Sequence, residues 1–246
     1  MAGPVERSAS RLAGRTVWIT CGDSGAGRVI ASALAAAGAA IAVGFIDPSA
    51  VGGAHHDERL RAAEALDGIL DAVVMAGARG LGGQLDLSSA DARQRFADHV
   101  QSELGPISVL VTVVSIGWTG GASDTAERAS LRLDDQLEGA LRMVDLLVPG
   151  MEERGWGRVI TVIEVRDGRR ETLDQALAAQ ASLQSMTRGM ALDAAPAQGV
   201  AYFLIGPAGS ADPAKLATLV VALCSDEAAS LSGQTVALGA GGRTTA

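Results

Sequence analysis

Apolar and polar positions along this chain follow two rhythms that take turns from end to end. Short continuous apolar runs, "TVWIT" (16–20), "AAIAVGF" (39–45), "ISVLVTVVS" (107–115), "GRVITVI" (157–163) and "VAYFLI" (200–205), have strand length and no polar face. Between them lie segments with helical spacing. Ile30, Ala33, Leu34 and Ala37 share one face ahead of Gly38, which stands where a helix C-cap belongs. "DERLRAAEALDGIL" (57–70) is amphipathic, and further helices are expected around 126–152, 172–194 and 213–224, with a short strand at "GGQLDL" (82–87). Strands that are apolar on both faces, alternating with helices, predict an α/β fold: a doubly wound parallel sheet, Rossmann-like, in one domain. That domain is expected to span residues 1–246, with 1–12 as a flexible tail.

Composition narrows the partners. The formal net charge is −8, with no clustered basic surface, which excludes nucleic acid. "IASALAAAGAAIAVGFI" (30–46) is the one membrane-like run, but Gly38 divides it into a helix and a strand, and no membrane span is expected. The opening "MAGPVERSASRLAGR" has no apolar core of a signal peptide. Two cysteines, Cys21 and Cys224, lie far apart without metal-type spacing, which favours a reduced, cytoplasmic setting. Nineteen arginines against the single Lys215, with abundant Ala and Gly, suggest a GC-rich bacterial genome.

Candidate chemistry begins at "TCGDSGAG" (20–27), a glycine loop between a strand and a helix, the arrangement that cradles a nucleotide phosphate. With "GRTVWITCGDSGAGRVIASALAAAGAAIAV", "GMEERGWGRVITVI" and "LATLVVALCSDEAASLSGQTVALGAGG" in order, the chain resembles the short-chain dehydrogenase/reductase (SDR) family over about residues 13–242. The resemblance implies that Thr20, Gly25 and Gly27 belong to the cofactor loop and that Asp86 lies near the adenine. It also exposes departures. Cys21 replaces the loop's first glycine, Asp23 faces where phosphates would lie, Phe45 ends the second strand with Asp47 just beyond, and Thr112–Val113–Val114–Ser115 replace Asn-Asn-Ala-Gly. No cofactor is therefore expected, with NAD(P) binding as the lesser alternative.

The family's Asn, Ser, Tyr and Lys positions fall on Gln136, Glu164, Ala176 and Gln180. The chain holds one tyrosine, Tyr202, thirteen residues before its one lysine, so it contains no Tyr-x-x-x-Lys. It is not a standard NAD(P)-dependent oxidoreductase by its own residues. Glu164 is the one acid at a former catalytic position. It is either a general acid or base in the old pocket, or a carboxylate that faces solvent or pairs with an arginine such as Arg166. The charged run "EVRDGRRE" (164–171) and the pair Asp134–Asp135 read as solvated faces. His55 and His56 are adjacent and lack a third ligand at metal spacing, His99 has no visible partner, and no metal is expected.

Two classes of function follow. The first is a catalytically degenerate subunit that supports an active SDR homologue, as a homo-oligomer or hetero-oligomer through the helices around 126–152 and 172–194. The second is a repurposed enzyme of cyclase, lyase or dehydratase type using carboxylates such as Glu164. A sensor of a small-molecule ligand is a third reading.

Overall fold

The computed structural model describes residues 11–20, 24–46, 56–117, 126–166, 169–194, 199–206 and 213–238. In chain order these form β1 (Thr16–Thr20), α1 (Gly25–Ala36), β2 (Ala40–Ile46), α2 (His56–Met75), β3 (Gly80–Leu85), α3 (Ala90–Leu104) and β4 (Ile107–Ile116). There follow α4 (Ala126–Glu153), β5 (Gly157–Val165), α5 (Arg170–Asp193), β6 (Val200–Ile205), α6 (Pro213–Leu223), a 3-10 turn (Glu227–Leu231) and β7 (Thr235–Val236). The seven strands make one sheet in the order β3-β2-β1-β4-β5-β6-β7, and every pairing is parallel. The expected doubly wound α/β fold is what forms.

Alternation within the strands builds a core on each face. Val17 and Ile19 of β1 face α1 and α6, packing with Ile30, Leu34, Leu216 and Val220. Trp18 points the other way, into a core with Met143 and Leu147 of α4 and Val100 of α3. Toward the C-terminal ends of the strands, Val114, Ile163 and Leu204 pack under Ala176, Ala179 and Leu183 of α5. Helix α1 stops in a Schellman turn, with Gly38 N–H on Ala35 O at 2.8 Å and Ala39 N–H on Leu34 O at 3.1 Å. The cap itself is Ala37, and Gly38 is the left-handed residue after it.

Three boundaries differ from the sequence reading. Leu12, read as part of the flexible tail, is buried and donates its N–H to Ala37 O at 2.9 Å. Strand β3 begins and ends two residues earlier than read, and β5 runs two residues further, through Glu164 to Val165. At the start of β5, Arg158 is buried at 1% exposure. Its guanidinium lies over the Trp156 ring at 4.4 Å, as Arg15's does at 3.7 Å. It donates to Ser225 O at 3.0 Å, Gly157 O at 2.7 Å and Gly199 O at 3.1 Å. Among the described residues no helix is long and apolar enough to cross a membrane.

Candidate functional site

The strand order reverses between β1 and β4, and in open α/β sheets that switch point, at the carboxyl ends of the strands, is where ligands bind. Helix α1 aims its N-terminus there, and the first N–H groups of a helix form a ready site for an anion. In this chain two of those groups, the N–H of Ala26 and of Gly27, already have side-chain partners. Ser24, the N-cap, accepts from Gly27 N–H through its hydroxyl at 2.9 Å, and its carbonyl takes Arg28 N–H at 3.1 Å. The N–H of Ala26 donates to Glu164 Oε1 at 2.8 Å.

Glu164 reaches α1 from the last residues of β5, and its side chain is 15% exposed. Its second oxygen, Oε2, accepts from Ser115 Oγ at 2.8 Å. Ser115 is its direct neighbour in the β4–β5 register. Ser115 in turn gives its backbone N–H to Gln136 Oε1 at 2.9 Å, while Gln136 Nε2 approaches Ser115 O at 3.4 Å. A continuous line of polar contacts thus runs from α4 through β4 and β5 to the start of α1. Arg166 adds only a long ion pair, Nε to Oε2 at 3.9 Å. The expected pairing with Arg166 is present in this long form, beside two shorter contacts. Its main partners are a backbone N–H and a serine hydroxyl.

Gly25 makes this approach possible, since a Cβ there would lie 3.3 Å from Glu164 Oε1. The two conserved-looking pieces of the loop that are described, Gly25 and Gly27, therefore serve the chain's own contacts. Thr20 is buried at the end of β1, and its Oγ1 makes no hydrogen bond to a described residue. A pyrophosphate placed on α1 would meet a carboxylate already on the Ala26 N–H and a serine already on the Gly27 N–H. These residues do not fit the dinucleotide that the glycine loop implies.

The remaining former catalytic positions are also placed. Ala176, on the inner face of α5, is fully buried against the ends of β4, β5 and β6, and offers only a methyl group. Gln180, one turn on, lies half-buried beside Gly206. Gln136 is buried at 9% exposure. So the structure gathers all four positions at one edge, and joins Gln136 and Glu164 through a residue the sequence reading did not single out as a site. The available signal for Ser115 was a hydroxyl near the end of an otherwise apolar strand. Asp86 is partly exposed, accepting from Ser88 N–H at 2.9 Å and Ser88 Oγ at 2.6 Å. The Ser88 hydroxyl holds its carboxyl below the usual range.

Asp134, Asp135 and His99 are exposed, as solvated faces are. Cys21, Asp23, Asp47, His55 and the side chains of Phe45 and His56 lie outside the described residues. Among the described residues no three His, Cys, Asp or Glu side chains group as a metal site would.

Comparison with known proteins fits the geometry. A family model described as short chain dehydrogenase matches residues 15–214. Acetoacetyl-CoA reductase of Rhizobium meliloti is 27% identical over 258 residues, covering 92% of this chain and 98% of that one. D-beta-hydroxybutyrate dehydrogenase of Cupriavidus necator is 33% identical over 153 residues, covering 61% of this chain and 53% of its own. A short chain dehydrogenase of Pseudocercospora fijiensis is 29% identical over 65% of this chain, which spans about half (48%) of that relative. Among solved structures, a short-chain type dehydrogenase/reductase from Mycobacterium marinum superposes with TM-score 0.75 at 21% identity over 99% of this chain and 100% of its own. A hydroxysteroid dehydrogenase from Escherichia coli gives 0.74 at 22% identity over 94% of this chain and 98% of its own. At these identities the structures share the fold.

Proposed function

We propose that this chain, which belongs to the short-chain dehydrogenase family, keeps the fold without the redox chemistry and serves as a non-catalytic subunit beside an active family member. The observation that carries this is Ala176. In the position where the family's proton-transferring phenol is expected, a buried methyl group packs against Val114 and Ile163. General acid–base catalysis needs a titratable group within reach of the substrate, and a methyl group supplies none.

The chain's other candidates for that role are elsewhere. Tyr202 is buried within β6, and Lys215 belongs to α6, which packs with α1 on the other face of the sheet from α5. Together with Glu164 on the Ala26 N–H, this supports a protein that works without NAD(P). The relatives' names supply the class of chemistry a catalytic partner would carry: reduction or oxidation of a 3-oxo or 3-hydroxy acyl group or of a hydroxysteroid.

Association through α4 and α5 draws support from the outer side of α5. Leu173 and Leu177 stand 41% and 59% exposed there, among the small residues Ala178, Ala181, Ser182 and Ser185. The reading in which Glu164 acts as a repurposed acid or base keeps one observation, its partial exposure at the cleft edge. Both of its oxygens are held by donors of the fold, and this weighs against that reading.

The test uses the purified full chain, alone and co-purified with an SDR homologue co-expressed from the same genome. Alone, it is expected to show no turnover of acetoacetyl-CoA or other carbonyls with NADH or NADPH, and co-expression raises the homologue's activity or yield. Turnover by the lone chain that survives rigorous repurification overturns the proposal.

A further inference from the structure

We propose that Glu164 is a permanent internal ligand of the α1 N-terminus, its carboxylate occupying the place of a phosphate and stabilising the fold in that ligand's stead. The inference deepens the cofactor-free part of the preceding reading and depends on it only there. The subunit role can fail while this contact stands.

A helix start carries partial positive charge and orphan N–H groups, and a charged acceptor there forms a strong, short hydrogen bond. Glu164 meets each requirement. Oε1 is 2.8 Å from Ala26 N, the N2 position of the helix. The absence of a side chain at Gly25 leaves room for it, since a Cβ there would stand 3.3 Å away. Oε2 is fixed by Ser115 Oγ at 2.8 Å, and Ser115 is fixed by Gln136 at 2.9 Å. The carboxylate is thus held at both oxygens and aimed at the helix by groups on two other elements, β4 and α4. With Ser24 Oγ on Gly27 N–H, two of the orphan N–H groups at the start of α1 are satisfied by side chains of the chain itself. In a nucleotide-binding fold the same donors stay available for the incoming pyrophosphate.

The experiment compares melting of the wild-type full chain, Glu164→Ala and Glu164→Gln, with and without millimolar inorganic pyrophosphate. The wild type is expected not to respond to the anion, because its donors are taken. Glu164→Ala is expected to melt roughly 2–4 °C lower, and pyrophosphate then raises its melting point saturably. Glu164→Gln falls less and responds little, since its amide still fills the gap. Equal responses of wild type and Glu164→Ala overturn the proposal, as does an Ala variant that melts like the wild type. A fall without any anion response also overturns it, leaving Glu164 as an ordinary cap. Should the Ala variant not fold, hydrogen exchange of the Ala26 amide in the wild type decides. Protection supports the contact, and exchange at the rate of an open amide refutes it.

Discussion

Tyr202 is 4% exposed inside β6 and Cys224 is 2% exposed just beyond α6, and each acid group is pushed up to about 12. For Tyr202 burial is the main cause and the Glu152 carboxylate adds to it, whereas for Cys224 burial is opposed by the Arg158 cation. Both groups are neutral when protonated, and the unfolded chain releases these protons near the ordinary values of 9.0 and 10.0. The folded state then binds more protons than the unfolded one, so the stability they contribute is present below about pH 9 and lost as pH rises toward 12. Urea midpoints are expected to fall steadily across that window, and Tyr202→Phe is expected to flatten the fall. A midpoint that stays level between pH 9 and 12 contradicts this account. The thiol of Cys224 is correspondingly inert, and alkylation there is expected only after unfolding.

At the scale of elements, the strands were the most legible part of the sequence. β6 and β1 follow their apolar runs residue for residue, because a strand buried on both faces has no polar position to blur its ends. β3 was placed two residues late because it is half glycine and carries little apolar pattern. Packing sets it instead: a Cβ on Gly82 would lie 2.6 Å from Leu66 Cδ1, and one on Gly83 2.8 Å from Phe96 Cε2. Glycines there let α2 and α3 close onto the two faces of the strand. The position of Glu164 was legible from "GRVITVIEV", but its partner was not, since Ala26 lies 138 residues away and contributes only a backbone N–H. The start of β5 carries its own prediction. Arg158→Ala strips the donors from the carbonyls of Ser225, Gly157 and Gly199 and removes the cation over Trp156. The loss is expected to be about 3 kcal/mol in denaturant titrations. Arg158→Lys is expected to recover part of it, keeping the charge but not the fork of donors. A wild-type midpoint for the alanine variant would show that the carbonyls find other partners.

For the whole molecule, the fold class and topology followed from alternation of strand and helix, and the sheet order agrees with that reading. How copies or homologues assemble is a matter of surfaces, where pattern says less, and the outer side of α5 is the place to probe. Leu177 is 59% exposed on a helix whose exposed residues include Leu173, Asp174, Ala178 and Ala181. A charge at such a position, Leu177→Glu, is expected to convert an assembly into a species of about 25 kDa in light scattering, the mass of one chain being 24.9 kDa. Circular dichroism should remain unchanged, because the side chain is not part of the core. An unaltered assembly size would move the interface away from α5.

The line of contacts from Gln136 to Ala26 also orders events in time. Helix α1 leaves the ribosome well before β5, yet the carboxylate that completes its N-terminus belongs to that fifth strand. A nascent chain halted between the end of α1 and residue 164 holds the helix and the serine cap, but not the charge that the helix start attracts. Closing a loop of 138 residues must precede that bond, and such long-range contacts form late. A nucleotide-binding fold leaves the same vacancy until its ligand diffuses in. Here the missing piece is encoded further along the same chain, and it arrives with translation rather than with metabolism.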